Sequence, residues 1–411
     1  MKPSGIEWIG DIPDDWKVCR LKGLGEQIIG LTYSPADLTD SSGTIVLRSS
    51  NIQNGRLILD RDDNVYVSID VGSKIIKNDD ILICSRNGSR HLIGKNAYIK
   101  NCDQKLSFGA FTTVLRSDYN RFLFFVFNSG IFEYYLASYS TSTINQLTTT
   151  MLNEIKVPFP NIETQQKIAD YLDEKCGEID KTIEKQKESI EKLKAYKQSL
   201  ISETVTKGLN KSTPLKPTGI DFLGDIPSHW EVKKLKYGIR LLEEKEKAVR
   251  SISLENIESF TGKLIETENI YEGEGIAFQP YDILFGKLRP YLAKVYLSTF
   301  KGQALGDFYV LRAKQDILPN FLKFVLLSDW FIKIVDSSTY GTKMPRASWD
   351  FVASMKIIFP PIKEQNQIAV YLDKKCTEID STINKKQKII EKLDAYKKSL
   401  IFECVTGKRR I

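Results

Sequence analysis

The chain has 411 residues, 42% of them hydrophobic and 10% aromatic, with a formal net charge of +7. That length exceeds one ordinary core and that composition is globular, so two or more folded domains are expected and a disordered chain is excluded. No apolar run reaches a membrane span and the N-terminus lacks a signal-peptide core, which makes the cytoplasm the expected location. Six cysteines without a C-x-x-C pair, and two distant histidines (His91 and His229), argue against disulfide staples and metal cages, and the cysteines are expected as small buried thiols.

In chain order, the first signal is "GDIPDDW" (Gly10–Trp16), which returns as "GDIPSHW" (Gly224–Trp230). The Ile-Pro-x-x-Trp pattern predicts a turn that sets an aromatic ring into a core, so Trp16 and Trp230 are expected to mark domain starts and not sites. Short β-branched and aromatic runs broken by Gly, Asn, Asp and Pro follow each copy and predict strands, with helices such as 120–137 and 320–335. Scattered anchors relate the two stretches: "DDILICSRNGS" (79–89) with "YDILFGKLRPY" (281–291), and "FGAFTTVLRS" (108–117) with "LGDFYVLRAK" (305–314). After "VPFP" (157–160) and "IFPP" (358–361) the proline signal ends the preceding structure and a long helix begins.

Those two helical runs, from Gln165 and from Gln365, are identical at most of their paired positions without a gap. Apolar residues alternate three and four apart, through Leu172, Cys176, Ile179, Ile183, Ile190, Leu193 and Leu200, then Leu372, Cys376, Ile379, Ile383, Ile390, Leu393 and Leu400. This is a coiled-coil seam, interrupted by polar residues at matching places, Gln186 with Lys386 and Lys197 with Lys397. Two like helices in one chain can satisfy each other's seams. At about 1.5 Å per residue each is about 60 Å long, and an antiparallel pair would hold two domains apart. The expected fold class is therefore α/β, a pseudo-twofold tandem repeat of two α/β domains separated by a long antiparallel two-helix coiled coil. Its expected boundaries are 1–160 and 211–360 for the domains, and 161–210 and 361–411 for the helices.

Catalytic signatures are missing from the sequence. There is no phosphate-binding G-x-x-x-x-G-K-[ST], no G-x-G-x-x-G after a strand, no methyltransferase "NPPY"-like tetrapeptide and no paired-carboxylate nuclease pattern. No catalytic or metal-ligating residue is assigned. What stands out is a basic stretch after each "DIL" anchor, with aromatic residues among the charges. Residues 84–105 contain Arg86, Asn87, Arg90 and Lys95, and residues 286–302 contain Lys287, Arg289 and Lys294. Arg and Lys neutralise phosphates, and Arg, Asn and Gln can read base edges, although a solvated turn would look similar. A second polar place precedes each helix, "TSTINQL" (141–147) with Asn145 and Gln146, and "GTKMPRA" (341–347) with Lys343 and Arg346; helix capping is its plain alternative. Arg48, Asn51 and Arg250 complete the candidate nucleic-acid contacts.

The pairing of "GDIPDDW" with "VPFPNIETQQKIADYLD" and a heptad helix, written twice, resembles the specificity subunit of type I restriction–modification systems over essentially the whole chain. The resemblance implies two target recognition domains, each reading half of a split, asymmetric double-stranded DNA sequence. It implies a non-catalytic chain that binds two adenine-modification subunits and recruits ATP-dependent restriction subunits. S-adenosylmethionine, ATP and Mg would then belong to those partners, with no cofactor in this chain. Leu172, Ile179, Ile183, Gln186, Leu193, Leu372, Ile379, Ile383, Lys386 and Leu393 become candidate helix–helix or partner contacts. A spacer of about 60 Å would allow at most roughly 18 base pairs between half-site centres, at about 3.4 Å per step. The rival from another class is a coiled-coil scaffold whose α/β domains bind protein, supported by the balanced charge of residues 1–160. An unrecognised nuclease ranks last.

Overall fold

The computed structural model describes residues 1–138, 145–248, 250–265, 273–341 and 343–411. Two compact units form, one from Met1–Gln186 with Lys388–Ile411, the other from Lys187–Gln387. Each unit therefore contains one mixed α and β body, the N-terminal half of the helix that follows it, and the C-terminal half of the other long helix. The helices run from Ile162 to Lys207 and from Ile362 to Val405. Each begins just past the proline that follows a strand, Pro160 and Pro360, and Gln165 and Gln365 donate from Nε2 to Pro160 O and Pro360 O at 2.8 Å in both copies.

In the first unit an antiparallel sheet orders the strands Asn96–Tyr98, Ile81–Cys84, Thr112–Arg116 and Glu26–Ile29. The run "ILIC" is buried at every position, as a continuous apolar strand requires. The second unit repeats that order with Val295–Leu297, Ile283–Gly286, Phe308–Ala313 and Ile239–Leu242. At the same place in both sheets a carboxylate buried under the strand start meets an arginine. Arg116 Nη2 and Asp80 are 2.7 Å apart, as are Arg312 Nη2 and Asp282, and both carboxylates are 1% exposed.

The second sheets differ. In the first unit Val65–Val67 pairs with Thr44–Leu47, which pairs in parallel with Leu106–Phe108. In the second unit Gly275–Phe278 pairs instead with Gly302–Ala304, which carries Ser251–Ile252 in parallel at its far side. The duplicated bodies thus share one sheet order and have diverged in the other.

The single helices expected at 120–137 and 320–335 are each two. They are Asn120–Phe127 with Gly130–Ser138, and Pro319–Leu327 with Asp329–Ser337. Ser129 and Ser328 break them, because each hydroxyl donates to the carbonyl three residues back, Val126 O at 2.7 Å and Val325 O at 2.5 Å. That local bond competes with helix continuation.

Trp16 and Trp230 are buried in their units. In each case the end of a long helix closes over the ring. Gly407 lies against Pro13 and Trp16, and Gly208 lies against Trp230; both glycines have positive φ, +71° and +73°. They are the left-handed residues that terminate the helices, and an added Cβ would also strike the packed ring or proline. The Trp230 indole N–H donates to Glu364 at 3.0 Å. So the end of the second helix packs on the start of the first body, and the end of the first helix on the start of the second body.

The seam residues Leu172, Ile179, Ile183, Leu372 and Ile379 are buried, and Gln186, Leu193, Ile383, Lys386 and Leu393 are half-buried. The polar interruptions at 197 and 397 have partners. Within the second unit Lys197 Nζ lies 2.7 Å from Asp380, and within the first Lys397 Nζ lies 2.6 Å from Asp180. Within the first unit Arg409 also stacks over Tyr171, so the C-terminal helix half runs antiparallel to the N-terminal half it packs on.

All six cysteines are free. Cys84, Cys176, Cys376 and Cys404 are buried, whereas Cys19 and Cys102, expected as buried thiols, are half-exposed because they sit at an edge strand and in a surface loop. Burial pushes the thiols of Cys176, Cys376 and Cys404 up to about 11. Iodoacetamide at pH 8 is therefore expected to label Cys19 and Cys102 in the native protein and to spare the other four until denaturant is added, as peptide mass spectrometry would show. No helix among the described residues is long and apolar enough to cross a membrane.

Candidate nucleic-acid interface

In the first unit the buried strand Ile81–Cys84 runs out into a loop held by backbone bonds. Ser85 N–H and Arg86 N–H both donate to Phe111 O at 3.0 Å, and Leu147 N–H donates to Ser85 O at 2.7 Å. Arg86 pairs with Gln146 as an isolated antiparallel bridge. Two loops that are distant in sequence thus become one surface. Arg86 is exposed, with its guanidinium 5.2 Å from the centroid of Phe111, itself 59% exposed. Asn87 donates to Ser49 Oγ at 3.0 Å and accepts from Ser89 N–H, while Asn145 donates to Gly88 O at 3.1 Å. Arg90 opens a 3₁₀ turn and is exposed. Arg86, Asn87, Arg90, Asn145 and Gln146 are therefore brought together, with Lys95 half-buried beneath them. The polar stretch 141–144 lies outside the described residues.

Two candidates from the same unit have framework partners. Asn51 is 1% exposed; its side chain accepts from Arg48 N–H and donates to Ile58 O and Asn64. Arg48 reaches back to Asp63, to the backbone oxygen and to the carboxylate. These bonds hold the loop after strand Thr44–Leu47.

The second unit builds the same surface from other residues. Lys287 N–H donates to Asp307 O, Ala347 N–H to Lys287 O, and Leu288 bridges Arg346. Asp307 stands where Phe111 stands, and Arg346 where Gln146 stands. Arg346 makes a two-pronged pair with Asp307 at 3.0 and 3.1 Å, and that carboxylate holds its guanidinium protonated even more firmly than usual. Arg289 has φ +50°, uncommon for a residue with a side chain, and Ala293 has φ +46°. The loop pins Arg289 there: its N–H donates to Pro345 O at 2.8 Å and its Nη2 to Lys343 O at 3.3 Å, which leaves an exposed guanidinium with further donors free. Lys343 is exposed, and Thr342 between it and Gly341 lies outside the described residues.

Lys294 is half-buried and donates to Leu254 O at 2.7 Å; burial lowers its ammonium from the ordinary range. Arg250 stacks over Phe300, 3.6 Å from its centroid, so its guanidinium is held flat at the surface. Tyr291, Tyr340 and Met344 are exposed beside Arg289 and Lys343. These three, together with Phe111, were not singled out from the sequence. The usable signal was "FTTVLR" against "DFYVLR", which, aligned on Arg116 and Arg312, sets Phe111 against Asp307.

The arrangement presents cationic forks, amides and exposed aromatic faces on paired loops of a rigid sheet. It differs between units in nearly every exposed side chain while the backbone bonds beneath repeat. Among the described residues, no group of three His, Cys, Asp or Glu side chains is placed to hold a metal ion.

The family model described as "Type I restriction modification DNA specificity domain" matches residues 13–195 and 248–393, one segment beginning in each repeat. The chain belongs to that family. A type I restriction enzyme specificity subunit of Methanocaldococcus jannaschii, MjaVIII, is 25% identical over 97% of this chain and 94% of its own length. A solved chain from a type I R-M system, studied for complex assembly and conformational transition, superposes with a TM-score of 0.70 at 13% identity, covering 97% of this chain and all of its own. The HsdS subunit of Thermoanaerobacter tengcongensis superposes at 0.50 with 14% identity, covering 97% and 98%. At such identities the structural likeness speaks for the fold, and the family assignment rests on the matched segments. In this DNA specificity family member, both matched segments contain the strand that presents the loop, residues 81–84 and 283–286, and the strand that anchors it, residues 112–116 and 308–313.

Proposed function

We propose that this chain is the non-catalytic DNA sequence-specificity subunit of a type I restriction–modification complex. Each unit reads one half of a bipartite, asymmetric double-stranded target. The long helices dock two adenine-methyltransferase subunits, and restriction subunits join that assembly. S-adenosylmethionine, ATP and Mg are used by those partners. The observation that carries the reading is one loop framework written twice with unlike exposed side chains, in a chain whose family model matches both copies. A shared framework holds the geometry of approach constant, and unlike readers give unlike half-sites.

Within this reading Arg289 contacts bases and Arg346 holds the loop through Asp307. In complex with the methyltransferase subunits, Arg289→Ala is expected to weaken binding to the native target roughly 5- to 150-fold, the loss of about 1–3 kcal/mol for a two-pronged base contact. Gel shifts against a panel of half-site variants measure it. Discrimination should relax at the second half-site and stay intact at the first. A uniform loss on every sequence would place Arg289 on phosphate, and unchanged binding throughout would overturn the assignment.

A further inference from the structure

In the first unit a cleft of about 640 Å³ opens between the connection 117–121 and the first turns of the helix Ile162–Lys207. Leu24, Tyr98 and Ala169 are among its walls, and Asn120 and Gln165 lie on its floor. Both amides are buried, at 1% and 3% exposure, and each has one end fixed. Asn120 Nδ2 donates to Asp79 O and Leu115 O at 2.8 Å, and Gln165 Nε2 donates to Pro160 O. The orientation of both groups is thereby set, and Asn120 Oδ1 and Gln165 Oε1 accept no hydrogen bond. Buried acceptors without a donor are costly and uncommon, so two in one cleft point to an occupant.

The second unit shows what such a glutamine accepts. Gln365 makes the same bond to Pro360 O, yet its Oε1 accepts from Leu318 N–H at 2.7 Å and its Nε2 also donates to Asp316 O at 3.0 Å. The chain itself supplies that segment, "KQDIL" (314–318), with Ile317 buried beside Phe359 and Gly238. Five residues separate Arg116 from Phe122, whereas eight separate Arg312 from Phe321. The arginines are the partners in the repeated Asp–Arg pairs, and both phenylalanines are buried on the helix that follows. The first unit therefore lacks three residues where the second folds a peptide onto its glutamine.

We infer that the cleft of the first unit receives an extended peptide segment of a partner protein, which donates a backbone N–H beside an aliphatic side chain to Gln165 Oε1. The partner takes the place that residues 314–318 take in the second unit. An exposed Ile162 at the rim gives such a side chain apolar surface to cover.

The probe is the fluorescently labelled peptide acetyl-KQDILPN-amide, titrated into the full-length chain and followed by anisotropy. Saturable binding is expected. Methylating the peptide's leucine nitrogen removes the donor without touching the protein, and is expected to weaken binding about tenfold, as is Gln165→Leu. Replacing residues 117–119 by the longer connection of the second unit should fill the cleft from within and abolish binding, while leaving the chain folded by circular dichroism. An absence of saturable binding, or an N-methylated peptide that binds equally well, overturns the inference and leaves solvent as the occupant.

Discussion

Replacing Asp380 by alanine is expected to destabilise the second unit by about 3–5 kcal/mol, the usual cost of removing one partner from a buried ion pair. Asp380 accepts from Lys197 on one oxygen and from Lys263 on the other, at 2.7 and 2.9 Å. The Lys197 side chain is only 7% exposed, so the substitution strands an ammonium where water cannot solvate it. Asp180→Ala, at the matching position of the first unit, should cost about 1 kcal/mol or less, because Lys397 is 26% and Asp180 43% exposed and solvent screens the pair. Hydrogen exchange resolved along the two helices separates the losses, which a single melting temperature of a two-unit chain would blur. Equal losses in both variants would contradict the burial argument. Changing both members to apolar residues, Lys197→Met with Asp380→Leu, should recover most of the stability, since the cost lies in the unpaired charge.

Arg116→Met is expected to be similarly severe, about 3–5 kcal/mol, for the converse reason. It leaves the Asp80 carboxylate 1% exposed with its cation gone, although Lys77 N–H still donates to it at 2.8 Å. Arg116 also donates to Ile75 O, so the change frees a carbonyl at the junction of two strands. The matching Arg312→Met acts on Asp282, which keeps its bond from Gln279 N–H. Each substitution should loosen its own unit. Limited proteolysis of the two variants would show cleavage within residues 1–160 for the first and 211–360 for the second; cleavage at the same places in both would exclude separate locks. Under the proposed function, loosening at Arg116 should also blunt DNA discrimination by the first unit, because the sheet it secures presents Arg86 and Asn87.

The duplication, the strand runs after each "IP-x-x-W", the two tryptophan plugs and the long helices were legible because their signals are local. A heptad pattern, a proline and a turn residue act within a few positions of themselves. The breaks at Ser129 and Ser328 were missed although "NSG" (128–130) and "SD" (328–329) interrupt the apolar runs there, because the apolar spacing on either side reads as one helix. The candidate contacts were legible as composition but not as roles. Arg289 and Arg346 looked alike in "GKLRPY" and "MPRA", yet one ends exposed and the other ends tied to Asp307. Asn51 resembled a surface reader and is buried in the framework.

The sequence by itself determined that one scaffold is used twice, where its two long helices begin, and which faces of them seek cover. Periodic apolar spacing and capping residues act through the chain's own next turn, so no other segment is needed to read them. Tertiary structure alone decided the partners of Lys197 and Lys397, the exchanged order of strands in the second sheets, the pairing of loops into one surface and the unfilled acceptors at Asn120 and Gln165. Each of these depends on which distant group covers or meets a polar atom, as Asp380 meets Lys197 across 183 residues. The energy of a charge or an amide is set by that cover and not by its neighbours in the chain.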